Sequence, residues 1–198
     1  MKHVIADSAG VGDALLRFSQ IVGGAVNALA GSRGLSALQL QILWLLDRRD
    51  GTETVGNLAR RFLISAPTVS DSLRVMAENG LITKSRQGRD SRSIDVAITA
   101  LGREAVAATA ALHERLNRII SAWDENRRTE VQTALFALIR GLQSDSPSHH
   151  DRMCVTCRHF AINCDIDSAS APYYCRSLST PLRATELRFD CSLYDSCA

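Results

Sequence analysis

Apolar residues recur at helical spacing through the first two thirds of the chain and lose that period in the last third. Leu38, Ile42, Leu45 and Leu46 follow Ser36, a residue suited to the N-cap, at intervals that place them on one face, and Gly51 closes the run. A second helix is predicted from Thr54, with Val55, Leu58 and Phe62 on one side, ending at the connector Leu63-Ile64-Ser65. A third follows at once. Ser65 can cap it, Pro67 occupies the first turn where its missing N–H costs nothing, and Val69, Leu73 and Met76 make the buried stripe. Asn79-Gly80 stops it with residues that accept a left-handed backbone. The period then changes to two: Leu81 to Arg86 and Ser93 to Ile98 read as strands joined by the turn-rich 87–91, with Ile94, Val96 and Ile98 alternating with polar residues. Outside this core lie an earlier helix at about Val11 to Ala30 and two later apolar series. One is Leu101, Ala105, Ala108, Leu112 and Ile119, and the other is Val131, Leu135, Leu138 and Leu142. The expected fold is mainly α with a small β-hairpin (α+β).

Charge adds little globally and much locally. The 198 residues carry a net charge of only +2, yet the hairpin span 84–92 holds Lys84, Arg86, Arg89 and Arg92 against the single acid Asp90. Helix, short helix, helix and basic hairpin is the order of a winged helix-turn-helix, whose last helix enters the major groove of duplex DNA while the wing follows the backbone. Candidate DNA contacts on the third helix are Ser65, Pro67, Thr68, Ser70, Ser72 and Arg74, and on the wing Arg86, Arg89, Asp90 and Arg92. Short polar groups there can approach bases closely. Asp71 does not suit a phosphate-facing surface, so it is expected to accept from a cytosine amino group or to pair with Arg74. Asp7 and Asp13 interrupt the apolar run that a signal peptide needs, and no stretch reaches the roughly 20 apolar residues of a membrane span. A cytoplasmic protein that does not cross a membrane is expected.

These motifs, together with Ile98-Thr99-Ala100-Leu101-Gly102-Arg103 opening the next helix, resemble the multiple-antibiotic-resistance regulator (MarR) family of bacterial transcription factors over roughly residues 10 to 143. The resemblance implies a DNA-binding homodimer on a pseudo-palindromic operator. It also implies a wing Asp-x-Arg pattern reaching the minor groove, which falls here on Asp90 and Arg92. The residue between them, often Arg in relatives, is Ser91, so Arg89 is the expected second wing contact. Many relatives bind a small aromatic effector in a cleft beside the dimer helices, and Trp44 is either a wall of such a cleft or core. The apolar series on the first and last helices form the expected dimerisation surface, with the Gly23-Gly24 pair expected to permit close helix packing.

The remaining chemistry lies in the last quarter. Turn formers interrupt the helical pattern around 143–150, so the chain is expected to divide into a helical part at 1–143, a linker at 144–152 and a small irregular module at 153–198. That module holds all six cysteines and five of the eight Phe and Tyr residues. It is too short to fold comfortably on apolar burial alone, so a metal or a crosslink is expected. Cys154, Cys157, Cys175 and Cys191 give C-x2-C-x17-C-x15-C, similar in spacing to the high-potential iron-sulfur proteins. Some MarR-like sequences look similar in carrying the same kind of cysteine tail. Three alternatives stay open: a [4Fe-4S] cluster sensing redox state, oxygen or iron, which is favoured; structural zinc; and thiols that sense oxidants. Phe160, Tyr173 and Tyr174 are the expected water-excluding shell, with Cys164 and Cys197 as extra thiols. No nucleophile with an oriented base and no phosphate loop occurs, so an enzyme is not expected. The rival of another class is an electron-transfer or redox-relay protein using the helices only as a dimer platform.

Overall fold

The computed structural model describes residues 3–49, 52–85, 94–144, 152–162, 171–191 and 193–195. The wing tip with Arg86, Arg89, Asp90 and Arg92, and also Cys164 and Cys197, lie outside them. The chain forms two compact units, one from Met1–Val55 with Pro67–Arg115 and one from Gly56–Ala66 with Leu116–Ala198. No helix among the described residues is long and apolar enough to cross a membrane.

In the first unit, α1 (His3–Gly31) and α2 (Ala37–Arg49) are followed by β1 (Glu53–Thr54), α4 (Ala66–Glu78), β2 (Ile82–Ser85), β3 (Asp95–Ile98) and α5 (Ala100–Ala107). Helix α2 carries apolar residues on most of its circumference and is the central element: Leu40, Ile42, Leu43 and Leu46 are fully buried. The strands form an antiparallel sheet in the order β1-β3-β2, with Ile82 opposite Ile98 and Lys84 opposite Val96. The expected hairpin is therefore present, with a third strand at its edge. Val26 and Ala30 of α1 pack with Leu40 and Trp44 of α2 in one apolar cluster.

The later helices differ from the expected pair. The apolar series begun at Leu101 is split into α5 and α6 (Ala110–Ser121), because the chain bends at Thr109. Thr109 is fully buried; its hydroxyl accepts from the Trp44 indole N–H at 2.9 Å and donates to the Val106 carbonyl at 2.7 Å. Trp44 is thus a core residue, with its one polar atom satisfied and its ring edge-on to His113. Among the described residues, a Cβ at Gly23 or Gly24 would meet no atom within 4 Å.

The second unit contains α3 (Val55–Phe62), α7 (Glu125–Ser144) and the cysteine-bearing tail. The tail is more regular than its composition suggests: β4 (Phe160–Ile162), β5 (Tyr173–Cys175) and β6 (Thr180–Leu182) form an antiparallel sheet in that order. Its core is Met153 and Leu187 packed on Phe136 of α7.

Candidate functional site

Helix α4 presents its polar side as the sequence predicts. Val69, Leu73 and Met76 are buried, whereas Pro67, Thr68, Ser70, Asp71, Arg74 and Val75 are exposed and Ser72 is half-buried. Ser65, exposed, stands just before its first residue. Arg74 pairs with Glu78 one turn on, at 3.1 Å, rather than with Asp71. The helix ends at Gly80, whose φ of +70° turns the chain so that the Leu81 N–H reaches the Met76 carbonyl at 2.9 Å. Upstream, α3 ends in the same geometry with an unusual residue: Leu63 takes φ +56° so that the Ile64 N–H reaches the Ala59 carbonyl at 3.1 Å. A left-handed leucine is strained where glycine would not be, and the strain lies in the three-residue turn leading to α4.

Gly102 and Thr99 fix the other end of the hairpin. The Thr99 hydroxyl donates to the Gly80 carbonyl at 2.7 Å and accepts from the Gly102 N–H at 3.1 Å, capping α5. This ties the start of α5 to the end of α4.

The second candidate site is in the tail. Cys154, Cys157, Cys175 and Cys191 line one small cavity with Phe160, Leu182 and Leu193. None of the four is in a disulfide. Cys154 and Cys157 flank a 3-10 turn in which the Cys157 N–H bonds to the Cys154 carbonyl at 3.0 Å, which brings a C-x2-C pair to one side. Cys175 ends β5 opposite Phe160, and Cys191 is held by its N–H on the Arg152 carbonyl at 2.8 Å. The Arg188 N–H donates to the Cys154 sulfur at 3.2 Å, while the Cys154 N–H donates back to the Arg188 carbonyl at 3.0 Å. Burial raises the Cys154 thiol pKa, the Arg188 N–H opposes that, and the nearby Cys191, Cys175 and Cys157 sulfurs raise it further. Among the described residues, these four cysteines share the cavity.

Fit to a bound group can be judged from this geometry. Thiolates on one zinc must stand about 3.8 Å apart, given Zn–S bonds of about 2.3 Å in a tetrahedron. Among the described residues, no three His, Cys, Asp or Glu side chains converge in a way that could hold a single ion. A four-iron cube keeps its ligand sulfurs further apart, each on a different corner. The cavity itself is about 20 Å³, room for little more than one water. The cavity is thus too small for a four-iron cube, and no three candidate ligands among the described residues converge on a single ion, so either group would need the cysteines to rearrange. Of the expected aromatic shell, Phe160 lines the cavity and Tyr173 packs on it with ring centroids 5.4 Å apart. Tyr174 does not share that position, because alternate residues of a strand face opposite ways.

Comparison with known proteins bears on the fold of the first candidate region. Residues 33–93 match the MarR family. Proteins of that family are transcription regulators, not enzymes. Solved structures agree on the fold. A MarR-family transcription regulator superposes with a TM-score of 0.62 at 20% identity, covering 74% of this chain and 97% of its own. The transcriptional regulator BldR from Sulfolobus solfataricus gives 0.55 at 20% identity, covering 71% of this chain and 97% of its own. S. aureus MepR in complex with DNA gives 0.56 at 20% identity, covering 67% of this chain and 98% of its own. Curated proteins provide no match. The matched span contains α4 and β2 and ends just before β3.

Proposed function

We propose that the chain is a MarR-type transcription regulator that binds operator DNA as a homodimer and carries a four-cysteine metal site in its tail. The observation behind the DNA reading is the exposed polar side of α4 followed by the basic span 84–92, both within the segment that matches MarR. Short side chains at Pro67, Thr68, Ser70 and Ser72 suit close approach to base edges, and Arg89 and Arg92 suit the backbone or minor groove. MepR has been captured on DNA in a similar fold, which supports the reading. Large apolar residues left exposed on α1 (Val11, Leu16, Phe18, Ile21) and on α7 (Val131, Leu135, Leu138, Leu142) supply the dimer surface.

For the tail, the supporting observation is that four cysteines from three separate segments share one cavity. Cys154, Cys157, Cys175 and Cys191 would hold a [4Fe-4S] cluster, with Phe160 limiting water. When bound, the cluster supplies a one-electron redox centre that is sensitive to oxygen and iron supply. Structural zinc is the second reading, favoured by the small cavity.

Protein purified without oxygen and assayed for iron, sulfide and zinc tests the metal reading. A broad band near about 400 nm with roughly four irons per chain is expected; one zinc per chain with no colour selects the second reading, and absence of both metals refutes a metal site. Binding to duplex DNA across a salt series tests the regulator reading against an electron carrier. Phosphate neutralisation gives a slope of about −0.9 per contact in log K against log salt, and a flat response would exclude it.

A further inference from the structure

A groove of about 540 Å³ lies between α7 and the tail, and every residue that lines it belongs to the second compact unit. Helix α7 contributes Glu125, Arg128, Val131, Gln132 and Leu135, spaced as one helix face. Ile120 and Trp123 line it from the end of α6, and Arg183, Thr185 and Phe189 line it from the tail. Small-molecule sites usually enclose about 300–1,000 Å³, so the groove is large enough for a ligand.

Charge in the groove is not balanced. Arg183 is paired twice, with Glu125 at 3.6 Å and with Glu186 at 3.1 Å, so the one carboxylate in the lining is already taken. Asp124 and Glu130 do not line the groove, and Asp124 accepts from the Arg127 N–H at the start of α7. Arg128 is half-buried, and among the described residues its guanidinium has no ion pair or hydrogen bond. A guanidinium held partly out of water beside apolar walls favours an anion, and a carboxylate can take two of its N–H bonds at once.

The apolar positions extend to one side of that charge. Val131 and Leu135 follow Arg128 by three and seven residues, about 5 and 10 Å along the helix axis. Phe189 stands at the far end, where its ring stacks on Phe136 at 4.2 Å. Val131, Leu135 and Phe189 are still 36–41% exposed, so an apolar body laid on them removes surface from water. A compact ring held at Arg128 would leave Leu135 and Phe189 uncovered, whereas an extended chain reaches both.

We infer that this groove is a binding site for a carboxylate with an extended apolar chain about 10 Å long, of the medium-chain fatty-acid class. Arg128 holds the carboxylate, and Val131, Leu135 and Phe189 hold the chain. Val131 and Leu135 also belong to the surface proposed for dimerisation, so a second copy is the competing occupant.

The test titrates decanoate into the full chain by calorimetry and by NMR of the tryptophan indole N–H groups, of which there are two. Trp123 lines the groove, whereas Trp44 is in the first unit with its N–H held by Thr109, so the signals report different places. One decanoate per chain is expected, with Kd on the order of 0.1 mM and a shift of the Trp123 signal alone. Each methylene added from hexanoate to decanoate should tighten binding about three- to fourfold. Decanol and decylamine should bind about tenfold more weakly than decanoate. Arg128→Gln should bring decanoate down to the level of decanol while leaving decanol binding and thermal unfolding unchanged, and Arg128→Lys should recover part of the loss. Equal affinity for decanoate, decanol and decylamine, or decanoate binding indifferent to Arg128→Gln, overturns the assignment. A shift at Trp44 in place of Trp123 overturns it by putting the ligand in the first unit. Absence of binding also overturns it, and light scattering on the same sample then shows whether the chain is a dimer whose second copy is the occupant.

Discussion

Replacing Gly102 by alanine sets helix propensity against packing, and the two predict opposite signs. Gly102 lies in α5, where alanine would ordinarily stabilise by about 1 kcal/mol. A Cβ built at this position would stand 2.3 Å from the Leu81 carbonyl oxygen and 2.7 Å from Cγ1 of Ile98. The Ile98 side chain can rotate away. The Leu81 carbonyl cannot do so cheaply, because it accepts from the Thr99 N–H at 3.1 Å and the Leu81 N–H is itself bonded to Met76. Relief must therefore separate α5 from the end of α4 and strain the Thr99 cap. Overpacking of this kind costs about 1–3 kcal/mol, and here it works against backbone, so the upper part of that range applies. After the propensity gain, a net loss of about 1–2 kcal/mol is expected, lowering Tm by roughly 2–8 °C for a chain of this length. Gly56 of α3 is the control, since a Cβ there meets nothing within 4 Å and Gly56→Ala should raise stability by up to about 1 kcal/mol. Urea and thermal unfolding of both variants provide the measurement. A Gly102→Ala protein as stable as wild type, or more so, would refute the close approach of α5 to Leu81.

Thr109→Val keeps shape and removes the acceptor of the buried Trp44 N–H; it should cost about 1–3 kcal/mol, with a double-mutant cycle to Trp44→Phe giving a non-zero coupling energy in urea unfolding. Phe136→Ala removes the buried ring that Met153 and Leu187 pack on and that stacks on Phe189 at 4.2 Å, so a loss of about 3–5 kcal/mol is expected, first visible as proteolysis within the tail. His113 has its pKa lowered, by burial first and by the nearby Arg48 charge second. The unfolded chain therefore takes up this proton first as pH falls, so stability is full above about 6.5 and declines as pH drops through that value. His113→Gln should remove this step, and an NMR titration of the ring should give a midpoint below that of a free histidine.

The sequence made α2, α3, α4 and the hairpin legible because each is marked locally: Ser36, Ser65 and Pro67 at starts, Asn79-Gly80 at a stop, and a change of period at Leu81. Features set by distant contacts were not legible. The break at Thr109 depends on Trp44, 65 residues away, and the heptad spacing across it reads as continuous helix. Strand β1 has only two residues, and β4, β5 and β6 have three each, too few for alternation to rise above chance. The four cysteines singled out by spacing and by resemblance to cysteine-tailed relatives all line the cavity, with Cys164 and Cys197 outside the described residues. The partners that orient them, the Arg188 and Arg152 backbone groups, carry no sequence signal, because any residue could supply them.

Helix α7 carries two apolar stripes, and this explains how so small a tail is held. Phe136 and Ile139 face the tail core, with Gln132 one turn earlier donating to the Leu187 carbonyl at 3.5 Å. Val131, Leu135, Leu138 and Leu142, each adjacent in sequence to that set or repeating its spacing, remain exposed. One residue of offset is about 100° around a helix of 3.6 residues per turn, so the stripes lie side by side and do not merge. The tail contributes Met153, Ala184, Leu187 and Cys191 as its own buried apolar residues, too few to form a core without Phe136. It therefore folds on α7 and depends on it. The surface proposed for dimerisation and the surface that packs on the tail are thus neighbouring faces of α7, meeting where Val131 and Leu135 share a groove with Arg183, Thr185 and Phe189 of the tail.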